Sequence, residues 1–218
     1  MAHPATSVPV GRRPRRRADL SIVMTGAVVC GAAMWDLLVI FNITTGLMIL
    51  NALTGNLAAH QSLTALPQIL QAELAPGETG DLTDVDLRLR LLCAVPTVIN
   101  MLTIVLAGLL IAGIIARIQQ GQPFSSSVQR GWQRLASVLV FGGILQTVAG
   151  VIAVAVLTTL RASQGPDGGG AFGASYSVLG FNGPDVPWML LLLGIIAGAL
   201  ALAFREGARL EEEVAGVV

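Results

Sequence analysis

Long uncharged stretches alternate with short polar ones along this chain, and the apolar stretches are continuous rather than patterned with a period of two. Residues 20–50 carry one charge, Asp36; residues 91–116 and 135–160 carry none, and neither does 188–204. About 20 apolar residues cross a hydrocarbon core of roughly 30 Å at 1.5 Å per residue. A backbone inside lipid must satisfy its own hydrogen bonds, and a barrel strand would alternate polar and apolar positions. The pattern therefore predicts an all-α membrane protein with four transmembrane helices in a bundle, spanning about residues 20–46, 91–116, 135–160 and 188–204. Residues 1–19 are expected to be a disordered basic tail, and 205–218 a helical tail.

The two ends of this layout raise questions. The first apolar run is about 46 Å long as a helix, more than the core needs, so it must slide, tilt or break near residues 42–46. The last run enters FREGARLEEEVAGVV with no turn residue. There Ala203, Gly207, Leu210, Val214 and Val217 recur at helical spacing, and Arg209 lies three residues from Glu206 and four from Glu213, as intrahelical pairs do. The fourth helix is thus predicted to continue past the membrane, either as a solvated stub or as an apolar seam docked on the 121–124 turn or on a partner.

Composition agrees with a membrane setting. Hydrophobic residues make up 54 % and charged residues 12 % of the 218, against about 25 % charged in soluble domains. All thirteen basic residues are arginine, and thirteen acids balance them. No overall field invites nucleic acid, so no direct nucleic-acid binding is expected.

The distribution of arginines sets a direction. Arg12, Arg13, Arg15, Arg16, Arg17, Arg117, Arg130, Arg134, Arg205 and Arg209 fall on one side of the four spans; Arg88, Arg90 and Arg161 fall on the other. The positive-inside rule places both termini in the cytoplasm, with Trp132 and Trp188 at span edges. The five N-terminal arginines are then positioned to meet anionic headgroups at about 1 kcal/mol each. A cleaved signal peptide is disfavoured because the first apolar run is too long for one.

Candidate chemistry is sparse. Cys30 and Cys93 lie in apolar runs toward opposite faces, so neither a disulfide nor a metal site is expected. DLTDVDLRLR lacks the glycine and the twelfth-position glutamate of a calcium loop. Asp81 is instead expected to cap the second span, with Asp84 pairing Arg88 and Asp86 pairing Arg90. The leucines at 53, 57, 63, 66, 70 and 74 suggest amphipathic turns lying on the membrane. Gly168, Gly170 and Gly173 satisfy G-x-G-x-x-G but follow a membrane helix rather than a strand, so a flexible linker is the better reading. His3 and His60 stand apart, and no nucleophile motif occurs. No enzyme and no cofactor is expected.

Within the spans, Asp36, Asn100 and Gln146 form a candidate polar cluster, and an Asp36–Asn100 hydrogen bond is geometrically possible. A charge near the bilayer centre costs about 2.5–3.5 kcal/mol and usually faces protein or water. Gly108, Ala112 and Ala116, and Gly194 and Gly198, form small-residue stripes that let helices approach closely. They are expected to pack the protein's own bundle rather than mark a dimer face; an oligomer stays open.

Two stretches carry a resemblance. RIQQGQPFSSSVQRGWQRLASVLV contributes Gly121, Pro123, Phe124 and Arg134; FREGARLEEEVAGVV contributes Phe204, Gly207, Ala208, Arg209, Leu210, Glu212 and Val217. Together they resemble the domain of unknown function 2975 family, small bacterial membrane proteins with four predicted spans. The likeness covers the chain from about residue 117 onward. It implies a bacterial inner-membrane protein and, because members are often encoded beside a small helix-turn-helix regulator, a cytoplasmic regulator as partner. The expected contact surface is Gly121, Pro123, Phe124, Arg205, Arg209, Leu210, Glu212 and Glu213. The alternative is a small transporter or channel subunit using Asp36 and Asn100.

Overall fold

The structure, a computed structural model, describes residues 13–47, 61–121, 123, 125–162, 172, 176–183 and 185–215, with backbone alone for 13–19, 211, 212, 214 and 215. Arg12, Leu53, Leu57, Phe124, Val217, both histidines and the three glycines of G-x-G-x-x-G lie outside the described residues.

Four helices dominate: α1 (Arg13–Thr45), α2 (Leu87–Gln119), α3 (Ser126–Ala162) and α4 (Trp188–Ala215). Each is long and apolar enough to cross a membrane, the character of a multi-pass integral membrane protein. Val28, Phe141 and Trp188 turn outward on three of them, part of an apolar surface far larger than water tolerates on a soluble monomer.

The helix ends differ from expectation in physically informative ways. α1 begins at Arg13, inside the stretch expected to be disordered. Pro14 sits in its first turn, where the missing N–H costs nothing, and arginine is a good helix former, so the helix of the apolar run extends back through the basic segment. At the other end α1 stops at Thr45 because Gly46 adopts φ 72° and its N–H bonds the Asn42 carbonyl at 2.9 Å, a left-handed cap that glycine suits. α2 and α3 run past their apolar segments into arginine-bearing turns. Continuing the helix pairs the backbone while long arginine side chains reach toward water.

Consecutive helices pack antiparallel: α1 on α2, α2 on α3, α3 on α4, with no other helix pair in substantial contact among the described residues. The bundle is therefore open-sided, a row of four. Small residues set its close contacts. A Cβ on Gly108 would strike Val29 of α1, one on Gly142 would strike Thr103 of α2, and one on Gly194 would lie 2.7 Å from Val140 Cγ2 of α3. The stripes at Gly108 and Gly194 thus serve contacts within this chain.

At one end of the row sits a compact cap. Strand β1 (Ile69–Leu74) pairs antiparallel with β2 (Tyr176–Phe181), Ala72 opposite Leu179 and Leu74 opposite Tyr176. Neither strand was expected; Leu63, Leu66, Leu70 and Leu74 had suggested helix. The first two belong to or follow a single 3-10 turn (Leu63–Ala65), and Leu66 is held extended at ψ 125° because the residue before a proline, here Pro67, avoids helical angles. Beneath the sheet Leu63, Leu66, Ile69, Leu82, Val85 and Phe172 are buried against Leu89 and Cys93 of α2 and Leu157 of α3. A second core, Ala107, Ile114, Val128, Leu135, Leu139 and Ala197, joins α2, α3 and α4 nearer the opposite end.

Candidate functional site

The polar groups inside the helices fall in two places. Asp36 is 7 % exposed on the α1 face that meets α2, and Asn100 donates its Nδ2–H to Asp36 Oδ2 at 2.8 Å. Carboxylate and amide satisfy one another across the helix contact, the arrangement a polar side chain needs in a low-dielectric setting. Gln146 belongs elsewhere. It lines a cavity of about 470 Å³ between α2, α3 and the cap, whose other walls include Gln68, Thr97, Asn182 and Asp185 and exclude Asp36 and Asn100.

That cavity is built around a proline and a spacing. Pro96 lies inside α2, where it removes a backbone donor and its ring crowds the preceding turn. Nearby, the Cys93 carbonyl accepts a hydrogen bond from Gln68 Nε2 at 3.0 Å rather than relying on the helix alone. Gln146, Gly150 and Val154 recur every four residues along one face of α3, so the cavity follows that helix for about 12 Å. Asn182 closes the cap above it, donating Nδ2–H to the Pro67 carbonyl at 2.9 Å and its backbone N–H to the Gln68 carbonyl at 2.8 Å.

The consequence is a surplus of acceptors. Gln68 is 6 % exposed, and among the described residues its Oε1 has no partner; Gln146 Oε1 is likewise buried without one. The Cys93 carbonyl fixes the orientation of the Gln68 amide, since a flipped amide would set oxygen against oxygen. With the Asp185 carboxylate at hand, the cavity suits hydrogen-bond donors, ordered water included. Gln68, Asn182 and Asp185 were not anticipated; Pro96 within an otherwise unbroken span was the available signal.

The acidic run before α2 does structural work different from that expected. Asp81 caps a 3-10 turn (Leu82–Asp84), not α2: its Oδ1 accepts from Thr83 N at 2.6 Å, and Asp84 Oδ2 accepts from Asp81 N at 2.8 Å in return. Asp86 caps α2, accepting from Arg88 N at 3.0 Å. Arg90 crosses instead to the Thr44 carbonyl at 2.9 Å, tying the end of α1 to the start of α2. Arg161 likewise reaches the Tyr176 carbonyl at 3.0 Å. Both arginines thus reach backbone carbonyls, Arg90 joining α2 to the end of α1 and Arg161 joining α3 to the cap. Burial, with the carboxylates of Asp84 and Asp81 nearby, pushes the Tyr176 phenol above its ordinary range, and its hydroxyl has no hydrogen-bond partner among the described residues.

At the opposite end α2 closes on Gly121, φ 78°, whose N–H bonds the Ile118 carbonyl at 3.0 Å, and Pro123 follows in the turn. α4 runs on without a break to Ala215. Trp132 of α3 stacks on Phe204 at 6.0 Å between ring centroids, and past this contact Arg209 pairs with Glu213 at 3.1 Å and Glu206 at 3.5 Å. Arg205 and Leu210 are exposed, Leu210 at 58 %, so no described part of the chain covers the start of the apolar seam. For Glu212 the structure gives only a helical backbone.

Among the described residues no three His, Cys, Asp or Glu side chains gather as a metal site, and both cysteines are free. No family model, no curated protein and no solved structure matches this chain.

Proposed function

We propose that this is a non-enzymatic, multi-pass protein of a bacterial inner membrane, with both termini in the cytoplasm, that works by holding a protein partner at its cytoplasmic face. The observation that carries the reading is the uninterrupted continuation of α4 to Ala215 with Leu210 exposed. A helix of 28 residues exceeds by about two turns what the bilayer requires, and intrahelical ion pairs stiffen the surplus. The side of the membrane follows from the arginine distribution. The Gly121–Pro123 turn lies at the same end and extends the surface. The resemblance to the domain of unknown function 2975 family adds the class of partner, a small helix-turn-helix regulator.

The transporter alternative is weaker. The hydrogen bond between Asp36 and Asn100 supports a clasp between α1 and α2 over a station for a passing ion.

The test is co-purification of the full chain from gently solubilised membranes, comparing wild type with a Leu210→Asp, Val214→Asp double variant. The expected result is intact insertion with loss of a partner recovered by the wild type. Recovery of every wild-type partner by the double variant refutes the reading.

A further inference from the structure

At the end of the row opposite the cap, α2 and α3 diverge around a cleft of about 210 Å³ whose rim carries Arg117 from α2 and Arg130, Arg134 and Ser127 from α3. The geometry follows from spacing. Arg130 and Arg134 lie four apart and so share a face of α3, while the short turn after Gln119 brings Arg117 alongside in the antiparallel partner. Gly131 admits Ile114, whose Cγ1 would stand 2.8 Å from an added Cβ, whereas Gly113 faces open space. One side of the helix contact is therefore closed and the other open.

Three arginines line this cleft, and no carboxylate among the described residues lines it with them. The sequence holds no Asp or Glu from residue 87 to 166. On α4, Glu206 and Glu213 are paired with Arg209 of their own helix. Arg130 spends its Nε–H on the Ser126 carbonyl at 3.1 Å, and the Arg117 and Arg134 side chains have no hydrogen bond or ion pair to any described residue. Like charges brought together without a counter-ion oppose the packing that assembles them, which an anion in the cleft would relieve.

The wall below the arginines is apolar. Leu109 is 68 % exposed, and Leu102 and Leu106 continue the exposed track along α2 toward the membrane interior. The site thus pairs a cationic rim with an adjoining hydrocarbon surface. Guanidinium groups match phosphate oxygens in a forked geometry, and basic pockets between membrane helices suit anionic headgroups. We propose that this cleft is a binding site for an anionic phospholipid, its phosphate held by Arg117, Arg130 and Arg134 and its acyl chain lying along Leu102, Leu106 and Leu109. The site requires the α2–α3 contact and is independent of the partner surface on α4.

The test uses the full chain in detergent micelles, titrated with fluorescent phosphatidylglycerol, phosphatidylcholine or inorganic phosphate. Saturable binding of phosphatidylglycerol is expected, with phosphatidylcholine and inorganic phosphate each at least about ten-fold weaker. An Arg117→Gln, Arg134→Gln double variant is expected to bind roughly thirty-fold more weakly, from the loss of two interfacial cations. Arg205→Gln, at the same end but outside the cleft, is expected to bind as wild type does. Gly113→Leu fills the cleft with every arginine in place, so it decides the matter if the double variant misfolds; it should lose phosphatidylglycerol as well. Equal binding of phosphatidylcholine removes the anion, equal binding of inorganic phosphate removes the lipid, and unchanged phosphatidylglycerol binding by Gly113→Leu removes the cleft. Any one of these overturns the proposal.

Discussion

Replacing Gly46 by alanine tests how α1 is joined to the cap. Two separate penalties meet at this residue. Its φ of 72° costs an L-residue about 1–2 kcal/mol in the left-handed region. An added Cβ would also stand 2.6 Å from Thr83 Cγ2, about 1 Å inside the optimal carbon–carbon contact, and such overpacking costs about 1–3 kcal/mol. Gly46→Ala is therefore expected to destabilise the protein by about 2–5 kcal/mol. Thr83→Ser separates the two terms. It removes Cγ2 but keeps the hydroxyl that donates to Asp81 Oδ1, so in the double variant the clash disappears and the left-handed strain stays. A double-mutant cycle should then return a coupling of about 1–3 kcal/mol. The assay is unfolding of the purified chain in mixed micelles, followed through Trp35, Trp132 and Trp188. A Gly46→Ala protein within about 0.5 kcal/mol of wild type, or a cycle with no coupling, refutes the account of this junction.

Further outcomes are open to direct measurement. With Cys30 and Cys93 replaced by alanine, single cysteines at Glu78 and Ser126 should label from opposite sides of the membrane; a membrane-impermeant reagent on intact cells should reach position 78 alone, and labelling of 126 would reverse the orientation drawn from the arginines. Asp36→Asn should express and insert nearly as wild type because the Asn100 partnership can be kept without the charge, whereas Asn100→Leu should destabilise by about 1–3 kcal/mol by stranding a buried carboxylate; near-equal stability of the two variants in mixed micelles contradicts the clasp. For Tyr176, whose phenol is raised by burial and by Asp84 and Asp81, the unfolded chain gives up its proton at about pH 10 while the folded one retains it. The stability this confers is complete below that pH and is lost as pH climbs through the folded value. Tyr176→Phe should flatten the alkaline fall and, by removing a buried hydroxyl without a partner, cost little at neutral pH; an alkaline unfolding curve unchanged by the substitution counts against the assignment.

The helices were legible in the sequence because lipid leaves the backbone few choices. An uncharged run such as 135–160 has no acceptable conformation there other than helix or barrel strand, and the absence of alternation selects helix. The Asp36–Asn100 contact could be anticipated from depth alone, since both residues lie at similar distances from one membrane face. The cap was hidden for the opposite reason. Ile69–Leu74 and Tyr176–Phe181 pair across more than a hundred residues, and nothing local distinguishes ILQAEL, with leucines four apart, from one turn of an amphipathic helix. Pro67 was the local clue, acting through Leu66. Likewise Asp84 with Arg88 and Asp86 with Arg90 satisfy the i,i+4 rule for ion pairs, but that rule presumes a helix already in place. Here the helix starts only at Leu87, so Asp81 and Asp84 close a turn, Asp86 caps the helix, and Arg90 bonds the Thr44 carbonyl. Gln146 stood out as polar, but its place on the cavity wall with Pro96 and Thr97 did not, because depth does not say which face of a helix meets which partner.

The sheet also dictates an order of events. Among the described residues each membrane helix packs substantially only on those next to it in the chain, so each can dock on its predecessor as it enters the bilayer, and contacts of short sequence separation close quickly. β1 cannot pair until β2 has been made, by which time α2 and α3 have both been synthesised. Until then Ile69 and Leu82 lack the cover that Phe172 and Tyr176 later help provide, and the edge of β1 is unpaired. The cap is thus the final latch of biogenesis, and a ribosome paused before residue 176 leaves a nascent chain with inserted helices and an adhesive strand outside the bilayer.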